Sequence, residues 1–240
     1  MTDRTWPVPR HPWVMRMTWS DLLFAHWQTE PEVVASLLPA DLTLDTRDGK
    51  AWVGVVPFLM SNIAPRCCLP IPKLSCFLEL NVRTYVTYKG KPGVWFFSLD
   101  AENPIAVRVA RWTFNLPYMD ATMALEQDDS ATITYRSERT HRGEPPANFD
   151  ASYRATGDTF HAQPGTLEHW LTARYCLYSV NRNNRLLRGE IEHPPWTLSK
   201  AIWNARQNTM GSPLGFDLNG EPHLLFAQPI TVRAWPATRC

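Results

Sequence analysis

The residues whose types and spacing could do chemistry lie on one alternating segment, residues 77 to 88. Its polar side chains share one face of a predicted strand: Glu79, Asn81, Arg83 and Tyr85. An arginine can hold a carboxylate with two hydrogen bonds, and a glutamate can exchange a proton. Asn81 and Tyr85 could orient a bound molecule. Glu79 and Arg83 would lie roughly 13 Å apart along the strand, which is too far for a direct ion pair. Each charge must therefore find water, a neighbouring strand or a ligand.

This polar face has two interpretations. The more common structure with such a pattern is a half-buried sheet whose polar face is solvated, and that is the default expectation. The alternative is the inside of a barrel, where the same side chains would line a pocket. Arg83 would then hold a carboxylate, and Glu79 would act as a general acid or base.

Three other sites have both a structural and a functional interpretation. His26 lies between large aromatic residues, where a histidine is more often packed and hydrogen-bonded than a ligand. Arg174 and Tyr175 follow a predicted helix, and a cation there complements the helix C-terminus. The segment from His193 to Trp196 is a rigid aromatic loop that could form the wall of a pocket or connect two elements with Trp196 in the core.

The elements that must position these residues are mostly strands. A hairpin is predicted over residues 42 to 60, with its turn at Arg47–Lys50, and strands are predicted at 77–88, 94–99, 175–180, 186–191 and 223–235. Three further antiparallel strands are centred on Met123, Ile133 and Tyr153. Four helices are predicted: one capped by Thr29 and ending at Pro39, one from Asn103 to about Phe114, one over 166–173 capped by Thr166, and one from Thr197 to about Ala205. We expect a β-rich α+β fold with a few short helices, in a single domain over residues 1–240.

Composition excludes several classes of protein. Lys and Arg total 24 against 23 Asp and Glu, so the net charge of +1 offers no electrostatic reason for a nucleic-acid or anionic-membrane partner. The longest charge-free apolar run, residues 51–65, is shorter than a membrane-spanning helix and is interrupted by Pro57. The N-terminus lacks the apolar region of a signal peptide. Five irregularly spaced cysteines do not form a disulfide framework. We therefore expect a reduced, cytoplasmic protein.

The common catalytic signatures are missing from the sequence. It has no Gly-x-Ser-x-Gly elbow, phosphate-binding loop or Gly-x-Gly-x-x-Gly motif. The segment from Glu190 to His193 is not a helical His-Glu-x-x-His zinc site. Cys67, Cys68 and Cys76 lack the paired spacing of a structural zinc site. We predict no cofactor and no metal.

Several segments resemble the bacterial YqjF-like family, in the same order along nearly the whole chain. They are Leu23–Trp27, Ala51–Phe58, Glu79–Val86, Pro92–Ala101, Leu116–Tyr118, Arg174–Tyr178 and His193–Trp196. This family has no known function and is related by fold to acetoacetate decarboxylase. The resemblance implies a cone-shaped β-barrel with an internal pocket and short flanking helices. It also implies that Glu79 matches a glutamate of the decarboxylase pocket.

The resemblance does not extend to the reaction of the decarboxylase. That enzyme forms a Schiff base through a lysine of a Gly-Tyr-Pro-Lys-Lys segment, whose pKa is lowered by a neighbouring cation. The matching stretch here, residues 115–120, contains no lysine. The five lysines of the chain fall in predicted turns, in the proline-rich loop and on a late helix, and none has a lysine beside it: Lys50, Lys73, Lys89, Lys91 and Lys200. Decarboxylation through a Schiff base is therefore not expected.

The leading hypothesis is a pocket protein that binds an organic acid or a similar polar metabolite. Its rival is an enzyme of lyase or hydrolase type that uses the same pocket for acid–base chemistry without a lysine. The candidate catalytic residues are Glu79, Arg83 and Tyr118, with His26 as an alternative proton donor. The candidate ligand-binding residues are His26, Asn81, Tyr85, Ser98 and His193. A cavity lined by Glu79 and Arg83 with a shifted Glu79 pKa would favour the enzyme.

A wide apolar cavity without such a pair would favour the binding protein. A third hypothesis, a structural or interaction protein, requires a barrel filled by aromatic side chains. A homo-oligomer is compatible with each of the three hypotheses.

Overall fold

Strands form most of the chain in its computed structural model, which describes residues 3–71, 74–105, 107–108, 111 and 115–240. The described strands are β1 (Met15–Ser20), β2 (Leu22–Thr29), β3 (Thr43–Leu44), β4 (Ala51–Pro65), β5 (Phe77–Tyr88), β6 (Lys91–Ala101), β7 (Tyr118–Gln127), β8 (Ile133–Arg139), β9 (Asn148–His161), β10 (Cys176–Val180), β11 (Leu186–Glu192), β12 (Thr197–Asn208), β13 (His223–Ala227), β14 (Ile230–Ala234) and β15 (Thr238–Arg239). Strand β6 pairs in parallel with β7 and β10, and the other pairings are antiparallel.

Within the described residues these strands pair into one sheet that closes on itself twice. One ring of seven strands runs β4-β1-β14-β11-β10-β6-β5 and returns to β4. A second ring of nine strands runs β6-β7-β8-β9-β12-β13-β2-β4-β5 and returns to β6. Strands β4, β5 and β6 belong to both rings. The prediction of a β-rich, barrel-like fold with few helices is confirmed.

Alternation along β5 places its two sets of side chains in different surroundings. Leu78, Leu80 and Val82 belong to a core shared with Tyr135 and Phe149 of the ring of nine. Strand β5 is shared by both rings, and successive side chains of a strand point to opposite faces. The residues between them therefore face the ring of seven.

The helices are short and lie outside the sheet. Helix α1 (Pro31–Ala35) begins after Glu30, so the predicted side-chain cap by Thr29 is wrong: Thr29 is the last residue of β2. Helix α2 (Leu167–Thr172) begins at Thr166, whose hydroxyl accepts a hydrogen bond from the His169 N–H, as predicted. None of the helices in the described ranges has the length and apolar character needed to cross a bilayer.

The predicted helix from Asn103 to Phe114 is described only in part. Its helical residues are Pro104, Ile105, Val107, Arg108 and Arg111. The side chain of Asn103 accepts a hydrogen bond from the Ile105 N–H at 3.0 Å, as expected of an N-cap. Residues 106, 109–110 and 112–114 lie outside the described residues.

Two other predictions of secondary structure are wrong. Residues from Thr197 to Ala205 form part of β12 and not a helix, because this segment pairs with β9 along nearly its whole length. Its Ile and Trp residues fit a strand, and tertiary pairing outweighs weak helical preference. The predicted turn at Arg47–Lys50 forms, with hydrogen bonds between the two backbones at 2.9 and 3.0 Å, but the strand predicted to pair with β4 instead contains β3, which pairs with β5.

Candidate functional site

The ring of seven strands encloses a cavity of about 360 Å³. Most of the side chains that line it are apolar, and they include Met17, Trp19, Phe77, Phe96, Leu99 and Trp196. The polar groups on its wall are few, and two of them come from β5: Glu79 and Arg83. The ring is therefore not filled by aromatic side chains, as the third hypothesis required. The default expectation of a solvated face is also wrong, because Glu79, Asn81 and Tyr85 are buried.

Glu79 is the one acidic side chain among the described residues that line the cavity. It is 2% exposed, and its carboxyl accepts a hydrogen bond from the Tyr118 hydroxyl at 2.8 Å. Burial raises the pKa of Glu79 to about 8, against the lowering effect of that hydrogen bond. Burial and the nearby Glu79 raise the pKa of Tyr118 well above its ordinary range. At neutral pH the pair is therefore mostly uncharged and can exchange a proton.

Arg83 lies four residues along β5 from Glu79, and within the described ranges it forms no ion pair. Its guanidinium makes two long hydrogen bonds, to the Tyr85 hydroxyl at 3.4 Å and to the Leu171 carbonyl at 3.5 Å. Its carbon Cζ lies 5.1 Å from the centre of the Phe24 ring. The buried Nε has no hydrogen-bond partner in the described structure. Arg83 therefore retains donors for an anion.

Arg174 is the second guanidinium on the wall of the cavity. Its Nη1 donates to the Asp45 carboxylate at 2.6 Å, and its Nε donates to the Trp170 carbonyl of α2 at 2.8 Å. The latter contact is the helix-end interaction expected from the sequence. Burial lowers the pKa of Arg174, although Asp45 opposes the shift. Its buried Nη2 has no partner among the residues that the structure describes.

Together, the two arginines leave a positive charge beside the cavity. Their Cζ atoms lie 5.7 Å (Arg83) and 4.8 Å (Arg174) from the centre of the same Tyr85 ring. Among the described residues, Asp45 is the one carboxylate paired with either of them. Glu79 is mostly protonated at neutral pH, so it supplies little opposing charge. This end of the cavity therefore suits a single anionic group.

His26 and Tyr85 form a buried pair that does not belong to the described cavity wall. His26 Nε2 lies 2.6 Å from the Tyr85 hydroxyl. Burial and the nearby Arg83 lower the pKa of His26 well below its ordinary value, so the ring is neutral. Gly54 leaves room for this ring, since a Cβ there would lie 3.0 Å from two of its atoms. The pair is thus linked to the cavity wall only indirectly, by the hydrogen bond that Arg83 donates to Tyr85.

The remaining candidate residues fall in three different places. His193 is buried on the cavity wall and stacks on Tyr175, with 4.7 Å between ring centres, and burial lowers its pKa. Ser98 accepts a hydrogen bond from Arg139 at 2.9 Å and is not among the described residues of the cavity wall. Asn81 is also absent from that wall as described, and its buried Oδ1 has no partner in the described ranges.

The sequence of the chain matches a known family along most of its length. The model of the DUF2071 family, described as an uncharacterized conserved protein, matches residues 16–231. The chain belongs to this family. It is also 43% identical over 230 residues to the uncharacterized protein YqjF of Bacillus subtilis (strain 168), covering 95% of this chain and 93% of that protein. The predicted YqjF-like relationship is confirmed.

Solved structures with the same fold are distant in sequence. The enduracididine biosynthesis enzyme MppR complexed with pyruvate is 12% identical, with a TM-score of 0.65 over 95% of this chain and 91% of that one. An acetoacetate decarboxylase-like enzyme from Sphingomonas wittichii RW1 is 13% identical, with a TM-score of 0.63 over 100% and 98% of the two chains. Acetoacetate decarboxylase from Legionella pneumophila is 15% identical, with a TM-score of 0.61 over 98% and 92%. These likenesses confirm an acetoacetate decarboxylase-like fold for this DUF2071 chain.

Lysine is missing from the cavity wall of this DUF2071 chain, as far as the structure describes it. Lys50 pairs with Glu30 beside α1, while Lys89 and Lys91 flank the turn between β5 and β6. Lys200 lies on β12, in the ring of nine. Lys73 lies outside the described residues.

Sequence reasoning did not select Arg174 or Asp45 for the site. Arg174 had a sufficient structural role at the end of a helix, and Asp45 lay in a predicted hairpin strand far from β5 in sequence. One signal pointed to Arg174: it opens a segment, Arg174–Tyr178, that carries the resemblance to the family. No local pattern indicates that Asp45 reaches Arg174, because that contact depends on β3 pairing with β5.

Proposed function

We propose that this DUF2071 protein binds a small carboxylic acid in the cavity of the ring of seven, with the carboxylate held by Arg83. The observation that carries the proposal is a cavity-lining guanidinium without an ion-pair partner among the described residues. A buried or half-buried charge without a partner is costly, and an anionic ligand would supply the missing partner. Because Asp45 balances the charge of Arg174, Arg83 supplies the net positive charge that the carboxylate would neutralise. The binding of pyruvate by MppR, which has the same fold, is compatible with this proposal.

A matched pair of ligands tests the carboxylate contact. Titration calorimetry would compare octanoate with octanamide, which has the same shape but no charge, on the wild type and on Arg83→Met. We expect the wild type to prefer the acid by roughly 10-fold to 100-fold, the range of a charge-assisted hydrogen bond, and Arg83→Met to lose that preference. Equal binding of acid and amide by the wild type would contradict the proposal. So would an unchanged preference in a folded Arg83→Met variant.

Acid–base catalysis on the bound acid is a second candidate function, favoured by the protonation of Glu79. A pKa of about 8 makes its carboxyl an acid that releases a proton near neutral pH, so it can also serve as a base just above that pH. The hydrogen-bonded Tyr118 supplies a second exchangeable proton. In the simplest such reaction, Glu79 carboxylate removes a proton from carbon beside a carbonyl and leaves an enolate, which solvent then protonates.

Exchange of carbon-bound hydrogen tests this reaction class without a known product. Proton NMR in D2O would follow the methyl group of pyruvate with the wild type and with Glu79→Gln. We expect an exchange rate on the order of 100-fold above that of buffer, rising with pH towards about 8, and lost in Glu79→Gln. Equal exchange rates in the two proteins would exclude Glu79 as the base.

A further inference from the structure

The described wall of the cavity follows a long stretch of β5, although the cavity itself is small. On β5 it extends from Phe77 to Arg83. The six residue-to-residue steps between them span roughly 20 Å. If the cavity follows β5 over this length, a volume of about 360 Å³ corresponds to a narrow channel. Such a channel fits an extended ligand better than a compact one.

The polar groups of this channel are unevenly distributed. Arg83 and Arg174 lie together at one end, near Tyr85. Glu79 lies nearer the other end of β5, and one of its carboxyl oxygens already accepts the hydrogen bond from Tyr118. The remaining wall is predominantly apolar, with side chains that include Phe24, Val94, Phe96, Leu99, Met60 and Phe77. A ligand that fills the channel therefore needs one charged end and an apolar body.

Among the described residues, the end of the channel away from Arg83 is lined mainly by apolar side chains, and the Ser75 hydroxyl there already accepts a hydrogen bond from the Ile71 N–H at 2.7 Å. Ile71 and Ile105 line the cavity and are nevertheless 55% and 56% exposed. Ile71 precedes Phe77 at the start of β5, and Ile105 follows β6, whose Ala101 pairs with Glu79. An isoleucine side chain cannot form a hydrogen bond with a ligand, and exposed apolar side chains beside a cavity favour contact with an apolar group. The ligand end that reaches this entrance should be apolar too.

We propose that the ligand is an elongated monocarboxylic acid with an unbranched apolar body, of the class of the medium-chain fatty acids. This inference rests on the proposed function, because Arg83 is again assigned to the carboxylate. The body then lies along the β5 wall past Glu79 and Phe77, and its tail points to Ile71 and Ile105. Short polar acids would use the arginine end and leave most of the apolar wall uncovered.

A homologous series of ligands tests the inference. Titration calorimetry on the full chain would use pyruvate, butanoate, hexanoate, octanoate, decanoate and dodecanoate. Burial of each added methylene predicts an affinity gain of roughly threefold to fourfold until the channel is full. If pyruvate or butanoate binds as tightly as octanoate, and Arg83→Met abolishes both, the inference is wrong and the carboxylate proposal survives. If no acid of the series binds better than its uncharged amide, the carboxylate proposal itself fails.

Two matched isoleucine variants test the path of the tail. Ile71→Asp places a charge at the entrance, whereas Ile202→Asp places one at a residue of β12 that is 48% exposed and not among the described residues of the cavity wall. Both positions are solvent-exposed, so both variants should fold. We expect Ile71→Asp to lower the affinity for dodecanoate by about tenfold, which corresponds to the loss of roughly two methylene contacts. The affinity for butanoate should not change. Ile202→Asp should change neither. Unchanged dodecanoate affinity in Ile71→Asp would overturn the assigned direction of the tail.

Discussion

The ring of nine and the ring of seven share β4, β5 and β6, but one arginine of each ring is paired differently. In the ring of nine, Arg139 of β8 donates to both oxygens of the Asp100 carboxylate at 2.8 to 3.2 Å and to Ser98 at 2.9 Å. In the ring of seven, Arg83 has no such partner among the described residues, and Glu79 is held neutral against Tyr118. A satisfied pair fixes strands in place, whereas an unsatisfied guanidinium beside a cavity can serve a ligand. The difference separates an arginine with a structural partner from the arginine that we propose binds the ligand.

The largest effect of this difference should be on stability, at Arg139. Arg139→Met removes the partner of Asp100, which is 0% exposed, and leaves its charge uncompensated. We expect the free energy of unfolding to fall by about 3–5 kcal/mol at pH 7, measured by urea denaturation. Arg83→Met is the matched control and should cost less than about 1 kcal/mol, since it breaks no ion pair among the described residues. Equal losses in the two variants would remove the distinction between the rings.

Glu79 should produce the next largest effect, with a defined pH dependence. Its pKa is about 8 in the folded chain against an ordinary value of 4.5, so the folded chain keeps a proton that the unfolded chain releases between these pH values. Stability from this group therefore falls as pH rises from about 4.5 to 8. Glu79→Gln removes the titration and should be more stable than the wild type by about 3 kcal/mol at pH 7, with no difference near pH 4.

Urea denaturation of both proteins across pH 4 to 8 measures this difference directly. The Gln amide oxygen can still accept the Tyr118 hydrogen bond, so the comparison isolates the ionisation. A constant difference between the two proteins across that range would mean that Glu79 titrates normally and is not held neutral by the cavity.

Tyr118 should produce the smallest effect. Its hydrogen bond lowers the Glu79 pKa, so Tyr118→Phe should raise that pKa further and lower stability by about 1 kcal/mol at pH 7. Infrared spectroscopy of the protonated carboxyl band against pH follows the titration of Glu79. Phe58→Leu, a buried apolar change in the strand opposite Glu79, controls for altered packing. A Glu79 titration that moves to lower pH in Tyr118→Phe would contradict the assigned hydrogen bond.

The sequence predicted the sheet well where alternation was strong. Strand β5, the hairpin of β10 and β11 and the Thr166 cap follow from local patterns. The segment from Thr197 to Ala205 was wrongly predicted as a helix, because its eight residue pairs with β9 decide its structure and no local pattern indicates them. The closure of the sheet into two rings likewise depends on contacts between distant segments.

The same division applies to the candidate site. The alternation of β5 predicted that Glu79 and Arg83 share a face, and both line the cavity. It could not predict that Asn81 is absent from the described wall or that Ser98 pairs with Arg139. Register along β5 and β6 shifts between Val82 and Arg83, where β6 has one extra residue, and such a bulge redirects the side chains of β6 around Ser98. The resemblance to the family added Tyr118, which a pattern of residues could not place beside Glu79.

The most direct test of the account is a crystal structure of the chain grown with dodecanoate. The account predicts a carboxylate oxygen within hydrogen-bond distance of the Arg83 guanidinium, an acyl chain along the β5 wall, and a tail between Ile71 and Ile105. A carboxylate placed beside Glu79 and Tyr118, with Arg83 unoccupied, would contradict it. Dodecanoate bound outside the ring of seven would contradict it as well.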